Sequence, residues 1–197
     1  KSFIPKNDNS TMEFVTLNTA GGLTSGDNFV TNFKLNNSKI CISTQAAEKI
    51  YSGYGYPARV ENRVIIDDSS TLFWIPQELI LFNNCSLYRR IEVDLKSNSN
   101  FLLAETTIFG RTAMGEFLEK GFFKDNWKIY VNKKLIHAEA LSLTGNIKDK
   151  LSSIACADNG VAICNIFISG QNFLSKEDYL IQTLKSSEMI LSSHSKW

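Results

Sequence analysis

The sequence predicts a mainly β protein of one domain, residues 1–197, built as two packed β layers of many short strands with about two helices in the C-terminal quarter. Three observations carry that expectation. Apolar and polar residues alternate at period two in segment after segment, the spacing at which a strand shows one face to a core and the other to water. The segments are short and divided by turn residues, as in Asn36-Asn37-Ser38 and Asp67-Asp68-Ser69-Ser70. Apolar residues recur at helical spacing only after Asn146. Roughly ten such strands, without an internal repeat, fit two facing layers better than a closed barrel.

Taken in order, residues 1–10 read as a polar loop leading into a strand at 12–17. Gly21, Gly22 and Gly26 then fall close together and Asp27 follows, a backbone suited to a sharp turn before the alternating strand 29–35. Strands follow at 39–44 and 59–66. QAAEKIY, between them, reads as a helical turn or an irregular connection, and DDSS at 67–70 turns 59–66 back as a hairpin. Residues 71–75 and 78–82 form a strand interrupted at Pro76, the mark of a sheet edge or a bulge. In 86–95, Leu87, Arg89, Ile91, Val93 and Leu95 face one way and Tyr88, Arg90, Glu92 and Asp94 the other. The apolar run from Phe101 stops in the glycine-framed turn GRTAMGE. Residues 127–131 and 135–140 pair around Asn132-Lys133-Lys134. Asn146 caps a short helix through Ile154. Residues 160–168 are apolar on both faces and read as a buried strand, and SKED at 175–178 opens a helix through Leu191 with a capping-box-like start.

Lys plus Arg 21 against Asp plus Glu 20 leaves a net charge of +1, so the overall charge gives no reason to expect nucleic acid or an anionic membrane as a partner. No apolar run approaches the ~20 residues that span a bilayer. Cys41, Cys85, Cys156 and Cys164 stand apart without a CxxC pair, so the expectation is a soluble, reduced, cytoplasmic protein. Lys1 in place of Met adds the expectation that a longer product exists.

Catalytic chemistry is thin. His137 and His194 sit in no glycine-framed nucleophile motif. Cys156, Cys164 and His137 are the one conceivable soft-ligand set, and isolated cysteines usually serve as small core residues. No catalytic residue and no metal site is assigned. The alternative reading is a β-rich hydrolase or lyase using paired carboxylates drawn from Asp27, Glu48, Glu78, Glu105 and Glu116. A small-anion module on the backbone of NTAGGLTSGD is a third.

Charges at apolar positions mark candidate ion pairs. Arg89 lies on the core face of its strand and requires a carboxylate. Gly110 and Gly115 bracket Arg111, whose guanidinium suits bidentate capture of Glu105 or Glu116. Glu105 is thus a partner for Arg89 or Arg111, and Glu48 for Arg59 or the surroundings of Lys49. Trp74, on an alternating strand, reads as core.

TLNTAGGLTSGD (16–27), STQAAEKIY (43–51), IPQELILFNNCSLYRR (75–90) and AETTIFGRTAMGE (104–116) resemble, in order and spacing, the signature blocks of the urease accessory protein D family, also called H. The resemblance covers residues 14–145 well and the C-terminal third loosely. Family members usually carry a further N-terminal strand region and a longer C-terminal tail. The resemblance implies a non-enzymatic, β-rich maturation chaperone that binds apo-urease and accessory protein F, which recruits the GTPase G that carries nickel. It leaves a homodimer within that complex open. It also implies no tightly bound cofactor, with nickel in transit through a polar passage. Weak oxygen ligands suit a passage, because an ion must leave as readily as it enters. On this reading Asp27, Glu48, Glu105 and Glu116 are the lining candidates. Gly21, Gly22, Gly26, Arg89, Gly110, Arg111 and Gly115 shape and brace the motifs. Phe82, Tyr88, Phe109 and Met114 are the partner-binding candidates, aromatic and Met side chains being enriched at interface centres.

Overall fold

The computed structural model describes residues 1–5, 11–174, 176–186 and 192–196. Its strands form two sheets that the chain visits alternately. The first sheet holds β1 (Ser2–Phe3), β2 (Met12–Thr16), β4 (Lys39–Thr44), β5 (Glu48–Ile50), β7 (Thr71–Trp74), β8 (Leu79–Leu81), β10 (Asn100–Phe109) and β13 (Ala162–Ser169). The second holds β3 (Asn28–Leu35), β6 (Ala58–Ile66), β9 (Ser86–Leu95), β11 (Lys120–Val131) and β12 (Lys134–Asn146).

In the first sheet β2, β4, β7 and β10 are parallel neighbours; in the second β3, β6, β9 and β11 are. Parallel neighbours require a crossover, and here a strand of the facing sheet supplies it, so the chain winds as a flattened coil. Antiparallel pairing is confined to the ends: β1 on β2, β12 folded back on β11, and β13 on β10.

The alternation that marks each strand places its apolar side between the sheets. In β9 and β10 buried and half-buried residues alternate without a break. Leu87, Ile91, Val93 and Leu95 of β9, and Phe101, Leu103 and Phe109 of β10, are almost wholly removed from water, each worth about 1.5–3 kcal/mol. The core nevertheless falls into two clusters. One gathers Leu87, Phe109 and Phe123; the other gathers Ile91, Leu103 and Trp127. At the inward position between them each of β9, β10 and β11 carries a charge: Arg89, Glu105 and Asp125.

Several expected elements differ in connection. The turn 67–70 carries β6 into the other sheet and makes no hairpin, because a period-two pattern does not distinguish a turn within a sheet from a corner between sheets. QAAEKIY contains β5, held by parallel pairing to β8. Pro76 marks neither an edge nor a bulge. It lies between β7 and β8, which have neighbours on both sides, β4 and β5 on one and β10 on the other, and the break at 75–78 stands beside that at 45–47. The apolar strand expected to be buried, β13, is half-exposed and pairs only with β10. The hairpin strands β11 and β12 are longer than read and take in Asp125.

The helices are short: α1 (Ile147–Leu151), α2 (Gln171–Leu174) and α3 (Glu177–Lys185). Asn146 caps α1, its Oδ1 accepting the Asp149 N–H at 3.4 Å. The capping-box start expected from SKED gives way to Lys176 at the cap of α3, without a side-chain bond; Ser175 and residues 187–191 lie outside the described residues. No described helix is long and apolar enough to cross a membrane.

Candidate functional site: a buried charge layer beside an inter-sheet cavity

Strand register brings Arg89 level with Asp125, and Glu105 reaches the pair from the facing sheet. Arg89 Nε donates to Asp125 Oδ1 at 2.9 Å and Nη2 to Oδ2 at 2.5 Å, a bidentate fork. Nη2 also stands 2.8 Å from Glu105 Oε2, but off the direction a hydrogen bond needs, so that oxygen has no hydrogen-bond partner among the described residues. Two indoles complete the layer: Trp74 Nε1 donates to Glu105 Oε1 at 2.7 Å and Trp127 Nε1 to Asp125 Oδ2 at 3.0 Å. One guanidinium thus faces two carboxylates. Desolvation pushes the Glu105 carboxyl above its ordinary range; Arg89 opposes the shift, Asp125 adds to it and the Trp74 bond opposes it. Burial works against the charged Arg89 guanidinium, and the two carboxylates, Asp125 before Glu105, outweigh it and hold it charged.

Glu105 also lies on the wall of a cavity of about 660 Å³ between the sheets. Phe14, Phe33, Ile42 and Leu87 give the wall its apolar character, with Lys1, Glu48, Lys49, Arg89 and Glu105 as charged members. The lining includes solvent-exposed residues in two places, Ser2, Phe29 and Val30 at the outer strands, and Gln45, Ala46 and Gln77 at the paired breaks in the first sheet. Glu48, the first residue of β5, accepts Asn18 Nδ2 at 2.8 Å rather than pairing with Arg59, which stacks on Tyr88. Burial raises the Glu48 carboxyl, the Asn18 bond opposes this, and the nearby Asp27 adds to it.

The other two carboxylate candidates lie elsewhere. Asp27 is not on the cavity wall; its Oδ2 accepts the Thr24 N–H at 2.8 Å within its own turn. Glu116 accepts Arg111 Nε at 2.7 Å and the Asn83 N–H at 2.8 Å, bracing the turn 110–116. Burial works to raise its carboxyl, but the Asn83 and Arg111 bonds outweigh this and hold it below the ordinary range. Among the described residues no group of three or more His, Cys, Asp or Glu is arranged to hold a metal ion.

The four signature blocks, scattered in sequence, meet along one side of the coil. Each reaches into a corner where the chain leaves the first sheet for the second: 17–27, 51–57, 82–85 and 110–119. Adjacent corners are tied through their backbones. The Tyr51 N–H donates to Leu23 O at 2.8 Å, Gly53 to Asn84 O at 3.4 Å, and Asn84 to Lys120 O at 2.8 Å. Close backbone approach, to the next corner at Gly22 and within its own corner at Gly110, explains two glycines. A Cβ on Gly22 would stand 2.4 Å from the Tyr51 ring and 2.6 Å from Lys49 O. Gly110, at φ +81°, would place one 2.6 Å from Glu116 O. Gly21, Gly26 and Gly115 lie in the same corners. Within NTAGGLTSGD, Gly22 and Leu23 are buried against the next corner, while Ala20, Gly21 and Gly26 are exposed.

The partner-binding candidates separate. Phe109 is core, and Phe82 is buried beneath the Arg111 guanidinium, 4.2 Å from its ring centre. Met114 is 77% exposed on the corner side, joined there by Tyr54, Tyr56 and Phe117, which the sequence reading passed over. Tyr88 lies on the outward face of the second sheet. Asp125 was also missed, although Arg89 called for a carboxylate and the spacing Phe123, Asp125, Trp127 is inward-facing in register with β9.

A family model described as UreD urease accessory protein matches residues 1–195. The chain belongs to that family. Urease accessory protein UreD 1 of Bradyrhizobium sp. (strain ORS 278) is 40% identical over 81% of this chain and 57% of its own length. The UreD proteins of Rhodopseudomonas palustris (strain HaA2) and Rhizobium rhizogenes are 38% and 36% identical over 84% and 98% of the chain, covering 60% and 70% of their own lengths. The chain therefore spans between half and three quarters of the relatives it matches. Arg89 and Glu105 of the charge layer and Gly22 and Gly110 of the corners fall within the signature blocks, whereas Asp125, Trp127 and Trp74 lie outside them.

Proposed function

We propose that this chain acts without turnover, as a scaffold and chaperone in cytoplasmic urease maturation, assisting nickel insertion in a complex with apo-urease and accessory proteins F and G. Membership of the family supports the urease accessory role. The observation that carries the nickel reading is the cavity whose wall holds two shielded carboxylates, Glu48 and Glu105, and reaches solvent-exposed residues in two places. Isolated oxygen ligands bind a hard or borderline cation weakly, which suits cargo in transit rather than a resident ion. Asp27 and Glu116, each engaged in its own corner, are assigned to structure.

The test is co-purification of the full-length protein with apo-urease and accessory protein F, alone and together. A stable complex with either supports the scaffold role; a folded sample that captures neither refutes it. The passage is tested separately by the nickel content of urease matured with Glu48→Gln and Glu105→Gln. Capture should persist while nickel loading falls several-fold; unchanged loading with the double variant refutes the carboxylate route.

A further inference from the structure

We propose that the outward face of the second sheet is a docking surface for an acidic protein surface. The outward side of β3, β6, β9 and β11, four parallel strands that β12 joins antiparallel at one edge, carries no described element. Its side chains form four cross-strand rows. Arg59, Tyr88 and Lys124 are level with one another, then Glu61, Arg90 and Asn126, then Arg63, Glu92 and Lys128, then Lys34, Ile65, Asp94 and Tyr130.

Six cations therefore stand against three carboxylates on this face, a net +3, while the whole chain carries only +1. Arg63 is paired with Glu61 at 2.9 Å, and Arg90 with Glu92. Lys34, Arg59, Lys124 and Lys128 form no ion pair with any described carboxylate. A flat array of unmatched cations is repelled by its own members and is relieved by an opposing negative surface. The face also has an anchor point. A depression of about 380 Å³ is lined by Tyr88, Arg90, Asn126, Trp127 and Lys128 of β9 and β11 and by Ala138, Glu139 and Ala140 of β12. Lys128, which has no ion-pair partner among the described residues, is the free cation at its edge, with Tyr88 as an aromatic wall. The expected partner is an acidic protein segment. The inference stands on the charge pattern alone and is independent of the role proposed above.

The test uses a fluorescein-labelled decaglutamate peptide titrated against the full chain by anisotropy. Saturable binding that weakens as salt is raised is expected, and Lys124→Glu with Lys128→Glu should weaken it at least tenfold. Lys176→Glu with Lys185→Glu makes the same change in net charge at exposed positions away from this sheet and should leave binding within twofold. Absence of saturable binding, or equal loss with both double variants, would overturn the proposal. So would tighter binding of a single-stranded oligonucleotide of equal charge, which would mark the face as a nucleic-acid surface. Lys124 and Lys128 are exposed, so circular dichroism should show the variant folded.

Discussion

Arg89 is the residue whose removal should cost most. It is buried between Asp125 and Glu105, and deleting one member of a buried ion network leaves its partners charged and unsolvated. Arg89→Ala should lower the unfolding free energy by about 3–5 kcal/mol, measured by urea denaturation. Glu105→Gln is the opposite case. Because the folded-state carboxyl is raised, its proton is bound more tightly in the folded protein, a contribution present below the ordinary carboxylate range and lost as pH rises through the folded value. Gln mimics the protonated acid and still accepts the Trp74 bond, so the variant should lose that decline. Thermal melts from pH 4 to pH 8 should show a flatter profile than the native protein; an unchanged profile would mean Glu105 is not the group responsible. Cys85 makes a third test. Burial pushes its thiol up to about 12, whereas Cys156 and Cys164 are exposed, so a thiol reagent at neutral pH should reach those two and spare Cys85 until the chain unfolds. That Arg89 required a carboxylate was legible from its place on an apolar face. Glu105 was legible as one candidate and does pair with Arg89, whereas Asp125 was not, because a partner one coil away is set by strand register.

At the scale of elements, the turn 110–116 separates backbone constraint from charge. The Arg111–Glu116 pair is partly exposed, and such pairs contribute about 0–1 kcal/mol, so Arg111→Ala should change stability little. Gly110→Val forces a branched side chain into the backbone of residues 116–118 at positive φ and should cost several times more, read by the same denaturation series. The depressed Glu116 carboxyl contributes stability above the ordinary carboxylate range that is lost as pH falls through its folded value, opposite in sign to Glu105. Strands were the most legible part of the molecule: the limits read for β4 and β9 coincide with the structure. Local pattern failed where the environment is set from outside the segment. β5 is three residues long and is extended because β8 lies beside it, and β13 has a buried strand's composition at an edge position.

For the molecule as a whole, the alternation between sheets could not be read from periodicity, since a coil and a sandwich bury the same inward residues. The glycine-rich blocks held the missing information. Each glycine that packs against the next corner shows that corners stack, which a hairpin sandwich does not require. Protection against amide exchange should follow that architecture, greatest in β9 and β10, which have neighbours on both sides and an unbroken buried face, and least in β1 and β3 at the open end. Uniform protection across all strands would contradict it.

The coil also sets the order in which the chain can assemble. Leu87 pairs with Ala58 and Phe101 with Leu72, so most ladder contacts join residues roughly thirty apart, far nearer than the ends of a 197-residue chain. Each winding has its template complete as soon as the preceding one is made. A ribosome releasing the chain from its N-terminus would present the strands in the order in which they are needed, and β13, which closes the free side of β10, would arrive last.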